Sequence, residues 1–571
     1  MVDGVSVEEG LSILRGAPLD SERGIGALTL GGYLQEIAVK FGPREAAVIH
    51  LDGERIAWSY ADLHARSVEV ARALIACGVG KGTRVAMVVS NRLEFLSGLF
   101  GIALAGGVAT TISTFFTASE LDEVLKASGA SVLLIERSVL KKDFSEILFE
   151  LEPRLADCEA GAIASTRYPF LRHIAFVDDD EPRGAIEGWS AFRARGAQVS
   201  DDHVEATAAS VSPADPGLLF FSSGSTGKAK GILCAHRAPC LQLWRWANWY
   251  RIDPDDPPRT WSANGFFFSG NFAMTLGSAL STGGTIVLQR WFDAAEAISL
   301  LERERASMAI AWPHQWPQLA DVPGYAEADL SAMRYVSTTM PITEHPSIDS
   351  NWEEPGHAYG STETFTLISV YPANTPEEVH KGSHGPPTAG STIKIVDPLS
   401  GETMPIGEHG EIAVKGPTLM LGYLGIPLDE TLDDEGFFRT NDGGYVDAEG
   451  RLFWKGRLND IIKTGGANVS PVEIDEVIRD HPKIKIAQTV GVPDELLGEM
   501  VVTCVVPQAG ASIAETEVQG FAKEKLAAFK VPRRVLFVDE AQLETTGSAK
   551  IKTADLRTLA ARLLAQEQTD G

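Results

Sequence analysis

The segment Phe221-Ser222-Ser223-Gly224-Ser225-Thr226-Gly227-Lys228-Ala229-Lys230-Gly231 directly follows an apolar run, Gly217-Leu218-Leu219-Phe220. That order predicts a buried strand delivering a turn rich in glycine, hydroxyls and lysine. Glycines let the main chain approach phosphate oxygens, and successive N–H groups form an anion nest. Ser222, Ser223, Ser225 and Thr226 add hydroxyl donors, and Lys230 adds positive charge. The chemistry indicated is the holding of nucleotide phosphates. A Walker A loop requires G-x-x-x-x-G-K-[ST]. Here Ser222 stands at the first glycine position and Ala229 follows Lys228, which excludes that class. From these residues alone, a plain Gly/Ser surface loop stays open.

Four more motifs follow in order: Tyr359-Gly360-Ser361-Thr362-Glu363, Thr440-Asn441-Asp442-Gly443-Gly444-Tyr445, Gly456 to Gly466 (GRLNDIIKTGG), and Lys550-Ile551-Lys552. Each is weak by itself. A lone Tyr-Gly-Ser-Thr-Glu is more often a turn entering a capped helix, and a lone Lys550 is normally a solvated surface lysine.

The elements that must position these residues alternate in type. Tyr60–Cys77 has a helical pattern, Arg84–Val89 reads as a strand and Leu93–Ala105 as a helix. A helix over Ser119–Ala127, with Ser119 as N-cap, precedes a strand over Ser131–Ile135. The unit recurs as Thr285–Leu288, Ala294–Arg305 and Met308–Ala311. Such β/α alternation implies mostly parallel sheets covered by helices. After about Gly382 short strands dominate (Ile393–Val396, Gly410–Val414, Arg451–Trp454). Beyond Gly456 an α/β pattern resumes with a helix over Pro471–Arg479, strands over Ile486–Val492 and Met500–Val506, and a helix over Val518–Ala528. The expected fold class is α/β. A large N-terminal domain (1–456, β-rich subdomain about 382–456) would precede a small C-terminal α+β domain (457–571).

At 571 residues the chain exceeds one compact core. It is 44% hydrophobic and 22% charged, a globular composition. A net charge of −27 argues against nucleic-acid and anionic-membrane partners, which need basic faces. Five scattered cysteines without a C-x-x-C pair indicate neither a disulfide framework nor a zinc site. No secretory signal is evident at the N-terminus, and the cytoplasm is the expected compartment. The charge-free stretch Phe95–Ile112 touches the lower length of a membrane span, but Gly106-Gly107 break it; helix, glycine turn and strand is the reading adopted, with no integral span.

Taken together, the ordered motifs resemble the adenylate-forming superfamily of acyl-CoA synthetases, adenylation domains and beetle luciferases, over about Leu30 to Arg557. Gly407–Ile412, Gly422-Tyr423 and Lys530–Arg533 add family-like stretches. The resemblance implies ATP, Mg²⁺ and coenzyme A as cofactors and a carboxylic acid as substrate. By it, Ser222 to Lys230, including Gly224 and Gly227, would hold the ATP phosphates, and Tyr359-Gly360-Ser361 the nucleotide, with Tyr359 stacking on adenine. Thr362 would contact phosphate and Glu363 would ligate Mg²⁺, a hard cation that takes oxygen ligands. Asp442 would accept the ribose hydroxyls, and Arg457 would contact the ribose. Gly465 and Gly466 would line the entry of the pantetheine thiol. Lys550 matches the lysine bridging substrate carboxylate and α-phosphate, and Lys463 a lysine of the second half-reaction. The C-terminal domain would be mobile, with two orientations hinged at Asn459.

The chain departs from the pattern at Asn459, usually Asp or Lys, and at Ala549, usually Gly. Phe268 stands where many relatives carry His or Trp at the acyl-pocket mouth. The small-residue loop before Tyr359 is Ser337-Thr338-Thr339-Met340-Pro341. Phe268, Trp312, Thr338, Thr339 and Met340 are the pocket candidates, with Trp246, Trp249, Phe266 and Trp316 as further apolar options that could equally be core. They suit an apolar acid, either a fatty acid or a bulky cyclic or aryl acid. A luciferase-like or carrier-acylating enzyme, or a non-catalytic nucleotide sensor, are the alternatives. No acid lies in Asn264–Phe272 to hold an amino-acid substrate's ammonium, and no carrier domain is expected after Leu564. A homodimer is an open option.

Overall fold

Apolar runs too short for helices become central parallel strands because both faces must be buried. The run Val132–Ile135 is fully buried, and it pairs in parallel with Arg84–Val88 on one side and His173–Phe176 on the other. The computed structural model describes residues 6–223, 229–354, 356–460, 462–464, 467–494, 497–526, 528–544 and 551–570. The chain divides into two compact units: 15–392 with 415–438, and the N-terminal segment up to 14 with 393–414 and 439–571.

Among the described residues the larger unit holds two large sheets besides two two-stranded hairpins. An eight-stranded sheet runs through Ile186–Glu187, His173–Phe176, Val132–Ile135, Arg84–Val88, Val108–Thr111, Pro216–Ser223, Ala229–Ala235 and Gly422–Tyr423. Its first six strands pair in parallel and the last two antiparallel. A five-stranded sheet orders Met308–Ile310, Arg259–Ser262, Thr285–Leu288, Glu45–Leu51 and Glu54–Ser59, parallel except for the final hairpin. Helices Tyr60–Ala76 and Leu93–Leu104 are among those covering these sheets. Ser59 and Asp62 form a capping box that starts the first of them at Tyr60, as expected. The charge-free stretch is helix Leu93–Leu104, a glycine turn and strand Val108–Thr111. Among the described residues no helix is long and apolar enough to cross a membrane.

The helix expected to begin on Ser119 is Ala118–Ser128, and its N-cap is Thr117. The Thr117 hydroxyl accepts from the Glu120 N–H while the Glu120 carboxylate accepts from the Thr117 N–H. That reciprocal pair satisfies two orphan donors and outcompetes Ser119.

The second unit is β-rich, then α+β. A six-stranded sheet includes Thr392–Val396, Gly410–Lys415, Phe438–Val446 and Leu452–Arg457. A five-stranded sheet is built on the long hairpin Ile484–Asp494/Gly498–Pro507, with Arg534–Phe537 parallel to its second strand. Helices Pro471–Arg479, Glu515–Lys525 and Thr553–Asp570 belong to it. The mixed α/β class, with a large N-terminal and a small C-terminal part, agrees with the sequence reading.

Candidate active site

Strand Pro216–Ser223 arises from the apolar run ahead of the glycine-rich segment and pairs antiparallel with Ala229–Ala235. The register sets Ser222 opposite Lys230 and Ser223 opposite Ala229, so the two strands bracket the turn. Gly224, Ser225, Thr226 and Gly227 lie outside the described residues, as does the side chain of Ser223. The Lys230 ammonium sits 5.1 Å from the centre of the Tyr423 ring. Strand Gly422–Tyr423 is hydrogen-bonded to the same hairpin, Tyr423 opposite Ile232.

Tyr423 carries the connection onward. Its hydroxyl donates to Glu363 Oε1 at 2.8 Å, and the Met420 N–H donates to the Glu363 carbonyl at 2.7 Å. Glu363 is half-buried, so one carboxylate oxygen is oriented by a neutral donor in a partly dry setting. A carboxylate fixed in this way fits a hard divalent cation. Tyr423 was singled out in the sequence only as part of a family-like Gly-Tyr pair, and nothing local foretold its tie to Glu363.

The motif Tyr359 to Glu363 is a hairpin and not the entry to a helix. Strand Tyr359–Ser361 pairs with Thr366–Ser369. Thr364 closes the turn: its hydroxyl accepts from the Ser361 N–H at 2.9 Å and lies 2.6 Å from the Thr366 carbonyl it donates to. Phe365 and Thr366 take φ of 47° and 75°, so the turn is left-handed at two residues with side chains. Gly360 is obligatory, since a Cβ there would stand 1.8 Å from the Thr366 carbonyl oxygen. Tyr359 is buried. The Ser361 hydroxyl is buried with no hydrogen-bond partner among the described residues, which leaves a polar atom for a ligand to satisfy.

On the other side of this turn, the Ser269 hydroxyl donates to Thr362 Oγ1 at 3.3 Å. Ser269 opens helix Ser269–Leu280 immediately after Phe268. Phe268 is half-buried and meets Trp312 edge-on at 6.0 Å, while Phe267 meets both Phe268 and the exposed Phe115. An apolar aromatic wall thus abuts the Thr362–Glu363 turn. Of the pocket candidates, Phe268, Trp312 and Met340 keep partial exposure. Trp246, Trp249, Phe266 and Trp316 are buried core residues.

Thr338 and Thr339 are exposed. Glu353, which sequence reasoning did not select, holds that loop: one oxygen accepts from Ser337 Oγ at 2.6 Å and the other from the Thr338 hydroxyl. The only hint in the sequence was the acidic pair Glu353-Glu354 six residues ahead of Tyr359.

In the second unit, Asp442 and Arg457 face each other across adjacent strands. Arg457 Nε lies 3.0 Å from Asp442 Oδ1. Asp442 is buried, and its N–H donates to Thr440 Oγ1 at 3.1 Å. Asn441 takes φ 59°, and the pairing shifts register just beyond it, between Asp442 and Gly444. Asn459 is exposed in the 3-10 turn Leu458–Asp460. Lys463 is exposed on strand Ile462–Thr464, and its N–H donates to Glu499 Oε2 at 2.7 Å. Gly465, Gly466, Ala549 and Lys550 lie outside the described residues.

Residues 34–424 match the model of the AMP-binding enzyme family, and residues 473–550 match that of the AMP-binding enzyme C-terminal domain. A 3-[(3aS,4S,7aS)-7a-methyl-1,5-dioxo-octahydro-1H-inden-4-yl]propanoyl:CoA ligase of Mycobacterium tuberculosis is 32% identical over 500 residues, spanning 86% of this chain and 91% of its own. A feruloyl-CoA synthase of Amycolatopsis sp is 31% identical over 528 residues, spanning 91% and 96%. The crystal structure of an anthranilate CoA ligase in complex with anthranoyl-AMP superposes with a TM-score of 0.73 at 22% identity, over 96% of this chain and 99% of that one, which is a likeness of fold.

Proposed function

The chain belongs to the AMP-binding enzyme family, and on that premise we propose that it is an ATP-dependent acyl-CoA synthetase for a bulky cyclic or aryl carboxylic acid. The observation that carries this reading is the Thr362–Glu363 turn. It is tied through Tyr423 to the glycine-rich hairpin on one side, and through Ser269 to the aromatic wall on the other. A nucleotide's phosphates and an apolar acid would meet there. Relatives named for a fused bicyclic propanoate and for ferulate favour a ring-bearing acid over a fatty acid.

In this reading a carboxylate oxygen of the acid attacks the α-phosphorus of ATP, and pyrophosphate leaves with the electron pair of the broken P–O bond. Negative charge grows on the phosphorus oxygens and on the leaving group. The hairpin N–H groups, Lys230, Thr362 and Lys550 would stabilise that charge, because preorganised donors act only where charge develops. Glu363 would hold Mg²⁺, whose chemistry is to neutralise phosphate charge. Tyr359-Gly360-Ser361 would receive the adenine side of the nucleotide, and Asp442 the ribose hydroxyls, with Arg457 shifting from its ion pair to the ribose. The thiol of coenzyme A then attacks the acyl carbonyl carbon, and AMP departs. Gly465 and Gly466 would leave room for the thiol and Lys463 would serve this second step. We place the domain boundary at 456/457 with Asn459 as hinge, so that Lys550 and the glycine pair serve one site in turn. Use of ATP and coenzyme A makes the cytoplasm the expected compartment.

A panel of cyclic, aryl and fatty acids tests this. Pyrophosphate release should need both acid and ATP, and thioester should form only when coenzyme A is added. Pyrophosphate release that ignores the acid, or none with any acid, overturns the reading.

A further inference from the structure

Both large sheets of the larger unit end near one polar cluster. Asn91 lies just beyond strand Arg84–Val88 of the eight-stranded sheet. The loop 263–268 leaves strand Arg259–Ser262 of the five-stranded sheet and carries Phe266, Phe267 and Phe268. In α/β folds the carboxyl ends of parallel strands are where ligands collect.

Asn91 is 1% exposed and answers the inward polar groups of that loop. Its Oδ1 accepts from the Phe266 N–H at 3.2 Å. Its Nδ2 donates to the Asn264 carbonyl at 2.7 Å and lies 3.4 Å from that of Ser262. The loop's own helix supplies a second amide: Asn271 Nδ2 donates to the Asn264 carbonyl at 2.5 Å, and Asn271 Oδ1 accepts from Ser262 Oγ at 2.8 Å. The loop itself is folded tightly. The Phe267 ring lies over Gly265, where a Cβ would be 2.1 Å from Cζ, and the Phe268 N–H donates to the Gly265 carbonyl at 3.1 Å.

Asn91 is itself anchored from its own sheet. The neighbouring Ser90 gives its N–H and hydroxyl to Glu136 Oε2 at 2.9 and 2.5 Å. Glu136 is fully buried and paired with Arg92 and Arg290. A buried amide satisfied on both its oxygen and its nitrogen fixes one geometry, because any shift leaves a polar group unpaired in a dry setting.

We infer that Asn91 is a positioning residue for acid recognition: it locks the 263–268 loop of one sheet onto the other and so sets Phe268 against Trp312. The loop leads into Ser269 and its bond to Thr362, so the same lock sets the distance between the aromatic wall and the nucleotide motif. The part concerning the acid rests on the function proposed above.

The test uses the full chain with Asn91→Ala and the near-isosteric, uncharged Asn91→Leu, which keeps the side chain's bulk while removing its hydrogen bonds and so guards against a cavity effect in the first. Two readouts are taken. Amide hydrogen exchange followed by mass spectrometry reads the loop directly, and peptides covering 262–268 should exchange at least about 10-fold faster while those covering 132–135 stay unchanged. Steady-state assay should show the KM for the preferred acid raised about 10-fold or more, the KM for ATP within about 2-fold, and a flattened preference across the acid panel. A merely structural loss would lower the melting temperature and the active fraction without moving the acid KM. Unchanged exchange in 262–268 overturns the positioning role, and faster exchange with an unmoved acid KM and preference overturns the role in recognition. A wild-type chain inert toward every acid overturns the proposed function instead, and the exchange readout then still decides the positioning.

Discussion

Replacing Tyr423 with Phe should weaken Mg²⁺ use while leaving the surrounding architecture intact. The change deletes one hydroxyl that donates to Glu363 Oε1 at 2.8 Å. The ring remains, so the Lys230 contact at 5.1 Å remains, and the backbone pairing of Gly422–Tyr423 with Ile232 and Leu233 does not involve the side chain. A hydrogen bond to a charged acceptor contributes about 1.5–3 kcal/mol. Both residues are half-buried, so water recovers part of it, and we expect about 1.5–2 kcal/mol, roughly a 10- to 30-fold effect. It should appear as a higher Mg²⁺ concentration for half-maximal, acid-dependent pyrophosphate release. The Glu363→Gln variant should lose that release far more severely, and adding Tyr423→Phe to it should do little further harm, since the hydroxyl acts through the carboxylate. An unaltered Mg²⁺ dependence in Tyr423→Phe, or fully additive losses in the double variant, would refute the orientation of a metal ligand by Tyr423.

Lys550→Ala should cut acyl-adenylate formation by about 10²-fold or more while thioester formation from supplied acyl-adenylate is largely kept; equal loss in both half-reactions, measured separately, contradicts the assignment. Asp442→Ala should reduce kcat/KM for ATP by about 1.5–3 kcal/mol in transition-state terms, because a carboxylate accepting ribose hydroxyls is lost; an unchanged ATP profile counts against it. Gly360→Ala puts a Cβ 1.8 Å from a backbone oxygen and should destabilise by about 3 kcal/mol, read as a lower melting temperature together with lost ATP use. Burial pushes the Asp475 carboxyl up to about 8. Between about pH 4 and 8 the folded chain therefore keeps a proton that the unfolded chain releases, so stability should fall as pH rises through that window. Asp475→Asn should flatten this slope in denaturant titrations at pH 6 and 8, and a slope identical to wild type would show that Asp475 does not set it.

Much of the fold was legible because its signals are local. Apolar runs such as Val132–Ile135 and the helical periodicity that begins at Tyr60 act within a few residues, so pattern alone marks the elements. Local signals also compete: Thr117 and Ser119 both suit an N-cap, and only the geometry with Glu120 chose Thr117. The glycine-rich segment, the Tyr359–Glu363 motif and Asp442 stood out because their residue types and order are rare together. What holds them did not stand out. Tyr423, Glu353 and Asn91 are ordinary residues in ordinary local settings. Their partners lie 60, 15 to 16, and 171 to 175 positions away. A hydrogen bond depends on distance in space, and spatial proximity here is set by strand order within each sheet and by which strand ends converge. The sequence by itself thus determined the family chemistry and the succession of helices and strands. The tertiary structure alone decided which polar side chains orient the Glu363 carboxylate and hold the aromatic loop, because only the folded sheets bring those atoms within 3 Å or so of each other.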